Sequence, residues 1–269
     1  MRCAVLGDPI SHSLSPVLHR AGYEALGLDW TYDAVRVGLG GLPELLHSGE
    51  WRGFSLTMPL KREAVPLADD VTDRVGLVGA ANTLVLAEGR VLADNTDLPG
   101  AVAAVRERYD GPVRAGTVLG GGATAASTGL ALCDLGATTV TVLARSAERA
   151  RETLDAIARH PSGPEVRVGS LGDVPSGEVL VSTVPAAAQT AELVRLAADV
   201  PVLFEVLYDP WPTPLAASAG SRPLVSGLDL LVHQAALQFE LFTGVTAPLD
   251  VMRAAGDRAL AARTVRPGP

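Results

Sequence analysis

The feature that most limits how this chain can fold is a glycine-rich turn between an apolar run and a stretch of small residues, Val118-Leu119-Gly120-Gly121-Gly122-Ala123-Thr124-Ala125. Gly120 and Gly122 hold the first and third positions of the dinucleotide-binding fingerprint, and Ala125 holds the sixth. A strand before the turn and a helix after it favour a real pyrophosphate site over a turn that only tightens a corner. The residues predicted to bind the dinucleotide are Gly120, Gly121, Gly122, Ala123 and Thr124.

Strands and helices alternate regularly around and after this turn. Strands are predicted at 117–119, 139–143, 166–168, 179–182 and 202–206, with helices at 123–135 and 147–159. Runs of β-branched residues such as Val140-Thr141-Val142 are typical of a parallel sheet covered on both faces. The sequence therefore predicts an α/β protein with a Rossmann-like, doubly wound cofactor domain over residues 100–228.

The chain before this domain also alternates strands with helices, and predicts a separate N-terminal α/β domain over residues 1–99. Its strands are predicted at 2–6, 30–35, 54–57, 83–86 and 90–93, the last two as a hairpin, with helices starting at Ser15 and Leu42. A helix at 100–109, broken by Asp110-Gly111-Pro112, leads into the second domain. Two more helices are predicted at 229–243 and 248–262, followed by a frayed tail at 265–269.

Composition narrows the class of protein. The chain has 269 residues, 48% of them hydrophobic, which is enough for two ordinary globular domains. Its formal charge of −8 argues against a general nucleic-acid binder or a protein of anionic membranes. The longest uncharged run, 115–133, divides into strand, turn and helix and is not read as a membrane span. Cys3 and Cys133 lie in apolar stretches, which predicts buried, reduced thiols in a cytoplasmic protein.

The end of the second strand of the cofactor domain indicates which dinucleotide is bound. An acidic residue there would bind the ribose 2′-hydroxyl of NAD, but the strand ends in Leu143-Ala144-Arg145-Ser146. Arg145 and Ser146, with Arg149 one helical turn further on, could instead bind a 2′-phosphate. NADP is therefore favoured over NAD, the alternative being that Arg145 is a solvated loop residue.

Polar residues of the first domain suggest a site that reads hydroxyl groups. Ser13 and Ser15 precede a helix, where Ser15 alone would be taken for an N-cap. Lys61 lies just after Pro59, Asn82 follows a short run of small residues, and Asp97 closes Asn95-Thr96-Asp97. A cation, a carboxylate, an amide and several hydroxyls are thus available in front of a dinucleotide.

These ordered motifs resemble those of the shikimate dehydrogenase family over nearly the whole chain. The matching segments are Ser13 to Pro16, Thr57 to Lys61, Asn82-Thr83, Asn95 to Asp97, the glycine turn, Ser182 to Pro185, Tyr208 to Thr213 and Gly227 to Ala235. One departure is Ala144, which stands where the family usually has Asn and removes a contact to the adenosine phosphate. The resemblance also implies that the C-terminal helices, residues 229–269, fold back on the first domain.

The resemblance implies a reversible reaction in which 3-dehydroshikimate and NADPH give shikimate and NADP⁺. It implies that Ser13 and Ser15 bind the substrate carboxylate, with Tyr208 closing that end, and that Val206 and Gly227 lie beside the nicotinamide. The residues implied to read the ring oxygens are Thr57, Lys61, Asn82, Asp97 and Gln234.

Elementary chemistry agrees with roles for Lys61 and Asp97. Hydride reduction of a ketone builds negative charge on the carbonyl oxygen, which a nearby cation or acid must meet. Lys61 can supply the charge, a proton or both, and Asp97 can orient the ammonium and accept from a substrate hydroxyl. The alternative is a surface ion pair that stabilises by about 0–1 kcal/mol. The five histidines are not clustered, so they are interpreted as structural or solvated and no metal is expected.

Two other functions stay open from the sequence. A quinate/shikimate dehydrogenase using NAD would share most of these motifs, and a non-catalytic dinucleotide sensor would share the glycine turn. Both retain a small-molecule ligand and need neither nucleic acid nor membrane. The sequence leaves open whether the protein is a monomer or a homodimer.

Overall fold

The computed structural model describes residues 1–49 and 51–264, so the tail predicted at 265–269 lies outside the described residues. The chain forms two compact units: Met1–Thr96 together with the segment from Leu231 onward, and Asp97–Leu230. The divisions thus fall at 96/97 and 230/231, against 99/100 and 228/229 in the division expected from the sequence.

Strands and helices follow one another along both units. The strands are β1 (Arg2–Gly7), β2 (Thr31–Arg36), β3 (Gly53–Leu56), β4 (Asp70–Val71), β5 (Thr83–Ala87), β6 (Arg90–Asp94), β7 (Ala115–Leu119), β8 (Thr139–Leu143), β9 (Glu165–Gly169), β10 (Val179–Ser182), β11 (Val202–Glu205) and β12 (Leu224–Val225). The helices are α1 (Ser15–Ala25), α2 (Leu42–His47), α3 (Leu60–Glu63), α4 (Asp73–Val78), α5 (Asp97–Arg108), α6 (Ala123–Asp134), α7 (Ala147–Ala158), α8 (Ala191–Leu196), α9 (Pro214–Ala217), α10 (Gly227–Thr243) and α11 (Leu249–Thr264), with 3₁₀ turns at Val65–Leu67 and Ala186–Ala188.

The first unit is built on a mixed sheet with the strand order β2-β1-β3-β5-β6-β4. The first three strands are parallel, whereas β5 runs antiparallel to both β3 and β6. Side chains alternate along β3, as in any strand, so Phe54 and Leu56 enter one hydrophobic core while Gly53 and Ser55 face α10. Gly53 has no room for a side chain, because a Cβ there would lie 2.4 Å from the ring of Phe242.

The second unit is built on a parallel sheet with the strand order β12-β11-β10-β7-β8-β9. The chain starts in the middle at β7, proceeds outward to β9, and returns to β10 on the other side of β7. This is the doubly wound order, and the direction of winding reverses between β7 and β10. Ligands of such sheets bind at the carboxyl ends of the strands at this switch point, here beside Leu119 and Ser182.

The fold class predicted from the sequence is confirmed. The second unit is doubly wound, and α11, like α10 from Leu231 onward, belongs to the first unit, where α11 packs against α1. The uncharged run 115–133 divides into β7, the glycine turn and α6. In the part of the chain that the structure describes, no helix is long and apolar enough to cross a bilayer. The helix predicted at 100–109 begins earlier, at Asp97, since Pro99 is tolerated in a first turn.

Candidate active site

In the glycine turn, two of the three glycines are each favoured by a different local constraint. Gly120 has a φ of +116°, which favours glycine, and a Cβ there would lie 2.3 Å from the hydroxyl oxygen of Thr183. Gly121 packs against α7, because a Cβ there would lie 2.7 Å from the Cα of Ala150. These two residues close the corner between β7 and α6.

Among the described residues, no close contact and no backbone angle requires glycine at Gly122. Its φ of −96° and ψ of −176° suit any residue, and a Cβ there would meet nothing within 4 Å. It precedes α6, whose N-terminus has no side-chain cap. An uncapped helix N-terminus beside open space is suited to a phosphate group, and the buried Ala125 keeps α6 close to the sheet. The residues present therefore fit the dinucleotide expected from the sequence.

The residues expected to select NADP lie together at the end of β8. Ala144 is buried and donates its backbone N–H to Gly169, whereas Arg145 is exposed and begins the connection to α7. Ser146 is the N-cap residue of α7, yet its hydroxyl makes no capping bond. Within the described residues, neither Arg145 nor Arg149 makes a hydrogen bond or an ion pair. Both exposed guanidinium groups are therefore available to an anion.

Val206 and Gly227 are adjacent in the second unit, because a Cβ on Gly227 would lie 2.4 Å from the carbonyl oxygen of Val206. Tyr208 follows two residues after Val206 and is half-buried. The structure therefore brings together the two residues expected at the nicotinamide.

The buried carboxylate of Glu205, whose hydrogen bonds the sequence did not indicate, holds this loop in place. Glu205 accepts hydrogen bonds from Gln189 (2.7 Å), the Thr213 hydroxyl (2.8 Å) and the Leu207 backbone N–H (3.1 Å). Burial raises the pKa of Glu205, and these donors oppose that shift. Because Thr213 and Leu207 bracket Tyr208, Glu205 fixes both ends of the loop that carries the tyrosine. Its position directly before Val206 was the available signal in the sequence.

Lys61 is half-buried on the short helix α3, at the carboxyl ends of β1 and β3. Two backbone bonds bring it there: Thr57 donates to the carbonyl of Leu6 (2.9 Å), and Ala81 donates to the carbonyl of Lys61 itself (2.7 Å). The second bond places the segment leading into Asn82 beside Lys61. Lys61 is also the only lysine in the 269-residue sequence.

Asn82 lies at the centre of a buried hydrogen-bonded group. Its side-chain oxygen accepts from the Thr96 backbone N–H and the Thr83 hydroxyl, both at 2.8 Å. Its amide nitrogen donates to the Thr96 hydroxyl (2.9 Å) and to the Gln234 side-chain oxygen (3.2 Å). Asn82 and Gln234, expected to read the same substrate ring, are therefore in direct contact. Asp97 follows Thr96 as the buried first residue of α5.

The two serines near the start of α1 differ in role from the simplest expectation. Ser15 is the first helical residue and not the N-cap, which is Leu14, so the N-cap interpretation is wrong. The Ser13 hydroxyl accepts from the Ser15 backbone N–H at 3.3 Å.

The candidate residues divide between the two units. In the first unit are Ser13, Ser15, Thr57, Lys61, Asn82 and Gln234. In the second unit are Asp97, Gly120, Gly121, Gly122, Ala123, Thr124, Ala144, Arg145, Ser146, Arg149, Val206, Tyr208 and Gly227.

Across residues 1–49 and 51–264, no cluster of three or more His, Cys, Asp or Glu side chains could hold a metal ion. Cys3 and Cys133 are free and buried, as predicted, and burial raises the pKa of Cys3 to about 11 and that of Cys133 to about 12. Both thiols are therefore neutral near pH 7.

Known proteins resemble this chain over both units. A family model described as the shikimate dehydrogenase substrate binding domain matches residues 5–84, and one described as the shikimate 5′-dehydrogenase C-terminal domain matches residues 227–255. A shikimate dehydrogenase (NADP(+)) from Citrifermentans bemidjiense is 34% identical, with 98% of this chain and 96% of that protein covered.

Two solved structures have the same fold. The crystal structure of Mycobacterium tuberculosis shikimate dehydrogenase is 43% identical, with a TM-score of 0.86 and coverage of 96% of this chain and 99% of that one. Shikimate 5-dehydrogenase from Thermus thermophilus, solved in complex with NADP(H) and shikimate, is 30% identical, with a TM-score of 0.85 and the same coverage. With identity at this level along nearly its full length, the chain belongs to the shikimate dehydrogenase family.

Proposed function

We propose that this protein catalyses the reversible, NADPH-dependent reduction of 3-dehydroshikimate to shikimate, a step in making the precursor of the aromatic amino acids. Its relatives carry this activity in their names, and one neighbouring structure holds both NADP(H) and shikimate. The observation from this chain that supports it best is the single lysine beside Asn82.

The second unit would hold the cofactor. The uncapped N-terminus of α6 beside Gly122 suits the pyrophosphate, and the exposed Arg145 and Arg149 suit the 2′-phosphate. Val206 and Gly227, which lie against each other, suit the flat nicotinamide ring. Bound NADPH would supply the hydride.

The first unit would hold the substrate. Ser13, Ser15 and the second unit's Tyr208 would bind its carboxylate, and Thr57, Asn82, Asp97 and Gln234 would read its hydroxyls. Asn82 and Gln234 are buried amides already in contact, so each is oriented before a ligand arrives.

Lys61 would give the carbonyl oxygen its proton in the reductive direction. All other lysines and arginines counted in this sequence are arginines, so positive charge elsewhere in the protein does not depend on lysine. Arginine holds its proton at all pH values that proteins tolerate, whereas lysine can release one. The retention of lysine at this one position therefore favours proton transfer over electrostatic stabilisation alone.

A spectrophotometric assay with shikimate and quinate, each with NADP⁺ and NAD⁺, tests the proposal. We expect turnover with shikimate and NADP⁺, and at least about a tenfold preference for NADP⁺ because a cation stands where NAD enzymes place an acid. Equal rates with NAD⁺, or faster turnover of quinate, would favour a quinate/shikimate dehydrogenase. No turnover with any pair would favour a sensor.

Removing the two exposed arginines should change cofactor choice and little else. The double variant Arg145→Ala/Arg149→Ala is expected to raise the KM for NADP⁺ by about tenfold or more, since charge-assisted bonds to the 2′-phosphate are lost. The KM for NAD⁺ should stay nearly constant. Arg151→Ala, a change at another exposed arginine of α7, serves as the control.

We place the protein in the cytoplasm, as a monomer or a homodimer, with no nucleic-acid partner. Free buried thiols and the net charge of −8 support this placement. Size-exclusion chromatography with light scattering will decide the oligomeric state.

A further inference from the structure

A continuous chain of buried hydrogen bonds runs through the first unit to Asn82. The Tyr32 hydroxyl donates to the hydroxyl of Ser55, which donates to the Gln238 side-chain oxygen at 2.7 Å. The Gln238 amide nitrogen donates to the Thr83 hydroxyl and to the Asn82 carbonyl, both at 3.0 Å. The Thr83 hydroxyl then donates to the Asn82 side-chain oxygen. All five residues are at most 3% exposed.

Gln238 stands in the middle of this chain and uses its whole side-chain amide. Its oxygen accepts once and its nitrogen donates twice. It lies one helical turn after Gln234 on α10, so both glutamines meet the Asn82 segment from the same helix. A residue with these bonds cannot move without disturbing the orientation of Asn82.

The bonds also fix which way the Asn82 amide points. Because Gln238 donates to the Thr83 oxygen, the Thr83 proton is directed at Asn82 and not elsewhere. That proton and the Thr96 backbone N–H both require an acceptor, which keeps the Asn82 oxygen on their side. The Asn82 nitrogen is thereby held toward Gln234.

We propose that Gln238 is a positioning residue for substrate recognition, which sets the affinity for the substrate by fixing the Asn82 amide through Thr83 without itself touching the substrate. This inference rests on the proposed function, in which Asn82 reads a ring hydroxyl. It adds a residue that neither the sequence motifs nor the family resemblance had singled out.

Two shape-matched variants test whether Gln238 orients Asn82 through the hydroxyl of Thr83. Gln238→Met removes the polar atoms and keeps the length of the side chain, while Thr83→Val removes only the hydroxyl that passes the bond to Asn82. Each is expected to raise the KM for shikimate by about five- to twentyfold, as the loss of an orienting buried hydrogen bond would. The KM for NADP⁺ should change by less than about twofold. The double variant should be no worse than the more severe single one, because both break the same path.

Phe239→Leu is the matched control. Phe239 is buried on the same helix, next to Gln238, and packs against Tyr23. It takes no part in the hydrogen-bond chain. It should lower the melting temperature and leave the KM for shikimate unchanged.

The outcomes separate the inference from the function it rests on. Wild-type protein that turns over no shikimate overturns the proposed function and this inference with it. An active wild type whose KM for shikimate is unchanged in both variants overturns the inference alone. An equal rise in the KM for shikimate and the KM for NADP⁺ would also overturn the inference. So would a rise in the KM for shikimate in Phe239→Leu as large as that in Gln238→Met. If Gln238→Met does not fold, the KM values of Thr83→Val decide.

Discussion

Lys61 is the only lysine in this sequence, and every other residue in its count of lysines and arginines is an arginine. Its location follows from backbone contacts, because its own carbonyl accepts from Ala81 and so joins α3 to the segment before Asn82. An arginine there would keep the charge and lose the exchangeable proton. Substitution of Lys61 can therefore distinguish proton transfer from electrostatic stabilisation, which the sequence motifs alone cannot do.

Lys61→Arg and Lys61→Met make that separation measurable. If proton transfer is the role of Lys61, both variants should lose about 10²-fold or more in kcat, because general acid help is absent from each. Melting temperatures should stay near that of the wild type, since Lys61 is only half-buried. Should Lys61→Arg retain more than a tenth of wild-type turnover, positive charge alone would be the contribution of this residue.

Candidate site residues could be proposed from the sequence where a local motif carries them, but the residues that hold them in place could not. Lys61, Asn82 and the glycines stand in short recognisable segments. Gln238 and Ser55 are 183 positions apart and meet only because α10 returns to the first sheet. The hydrogen bonds of Glu205 could not be predicted for a similar reason, since its partners Gln189 and Thr213 come from separate connections.

Among the elements, the β7–α6 turn shows three neighbouring glycines under three different constraints. Gly120 needs a left-handed backbone, Gly121 needs space beside Ala150, and Gly122 needs neither. The first two therefore serve the local packing of the turn. The third leaves open space beside the helix N-terminus, which is what the pyrophosphate of a dinucleotide requires of the second fingerprint glycine.

Alanine substitutions at two of these positions should have opposite effects. Gly122→Ala is expected to fold with wild-type stability, because its backbone suits alanine, and to raise the KM for NADPH by about tenfold or more. Gly121→Ala should lower the melting temperature, since its Cβ would meet the backbone of Ala150 at 2.7 Å. Thermal melts and cofactor titrations of both proteins check this. An unchanged KM in Gly122→Ala would contradict the pyrophosphate assignment.

Most elements of the fold were predictable, including the short α2 and β3, whereas several of the shortest were not. Strand–helix alternation identified β7 to α7 closely, since those runs are periodic and apolar. The two-residue strands β4 and β12 and the short helices α3, α4, α8 and α9 were missed, because so few residues show no period. Some signals existed: Thr72 caps α4 and the left-handed Gly79 ends it.

Helix α1 carries a buried histidine that should make the first unit sensitive to acid. His19 stacks on Tyr32 at 4.0 Å, and burial lowers its pKa to about 3. The unfolded chain binds this proton near pH 6.5, so stability is fully present above that pH and falls as pH drops toward 3.

Replacing this histidine should flatten the pH dependence. Between pH 7 and pH 5 the wild type should lose about 2 kcal/mol more than His19→Phe, from about 1.4 kcal/mol per pH unit for one proton. Urea unfolding at both pH values measures the difference. His47→Gln, at an exposed histidine, should behave as the wild type does. Identical pH dependence in wild type and His19→Phe would show that His19 binds its proton equally in the folded and unfolded states, which would contradict the lowered pKa.

At the scale of the whole molecule, one unit is continuous in sequence and the other is not. Residues 97–230 form a sheet with its own hydrophobic cluster, which includes Leu119, Leu143 and Leu203. The first unit needs two distant pieces of chain, because Phe239 and Phe242 of α10 complete its aromatic core around His19. The two units should therefore respond differently to truncation.

A fragment of residues 97–230 is expected to fold alone and bind NADP⁺, since its core and its glycine turn are internal to it. A fragment ending at Leu230 should leave the first unit unfolded, because it lacks α11 and most of α10. Circular dichroism melts and calorimetric titration with NADP⁺ test both fragments. A fragment of residues 97–230 without a cooperative melt would contradict this independence.

The divided first unit also constrains biosynthesis on the ribosome. Its opening residues emerge early but lack their C-terminal helices until the cofactor unit has been translated in full. During that interval His19 and Tyr23 lack their ring contacts with Phe239 and Phe242, so the nascent chain presents aromatic surface to chaperones for most of its synthesis. Substrate recognition, in which we propose a role for Gln234, would thus be among the last properties that a newly made molecule acquires.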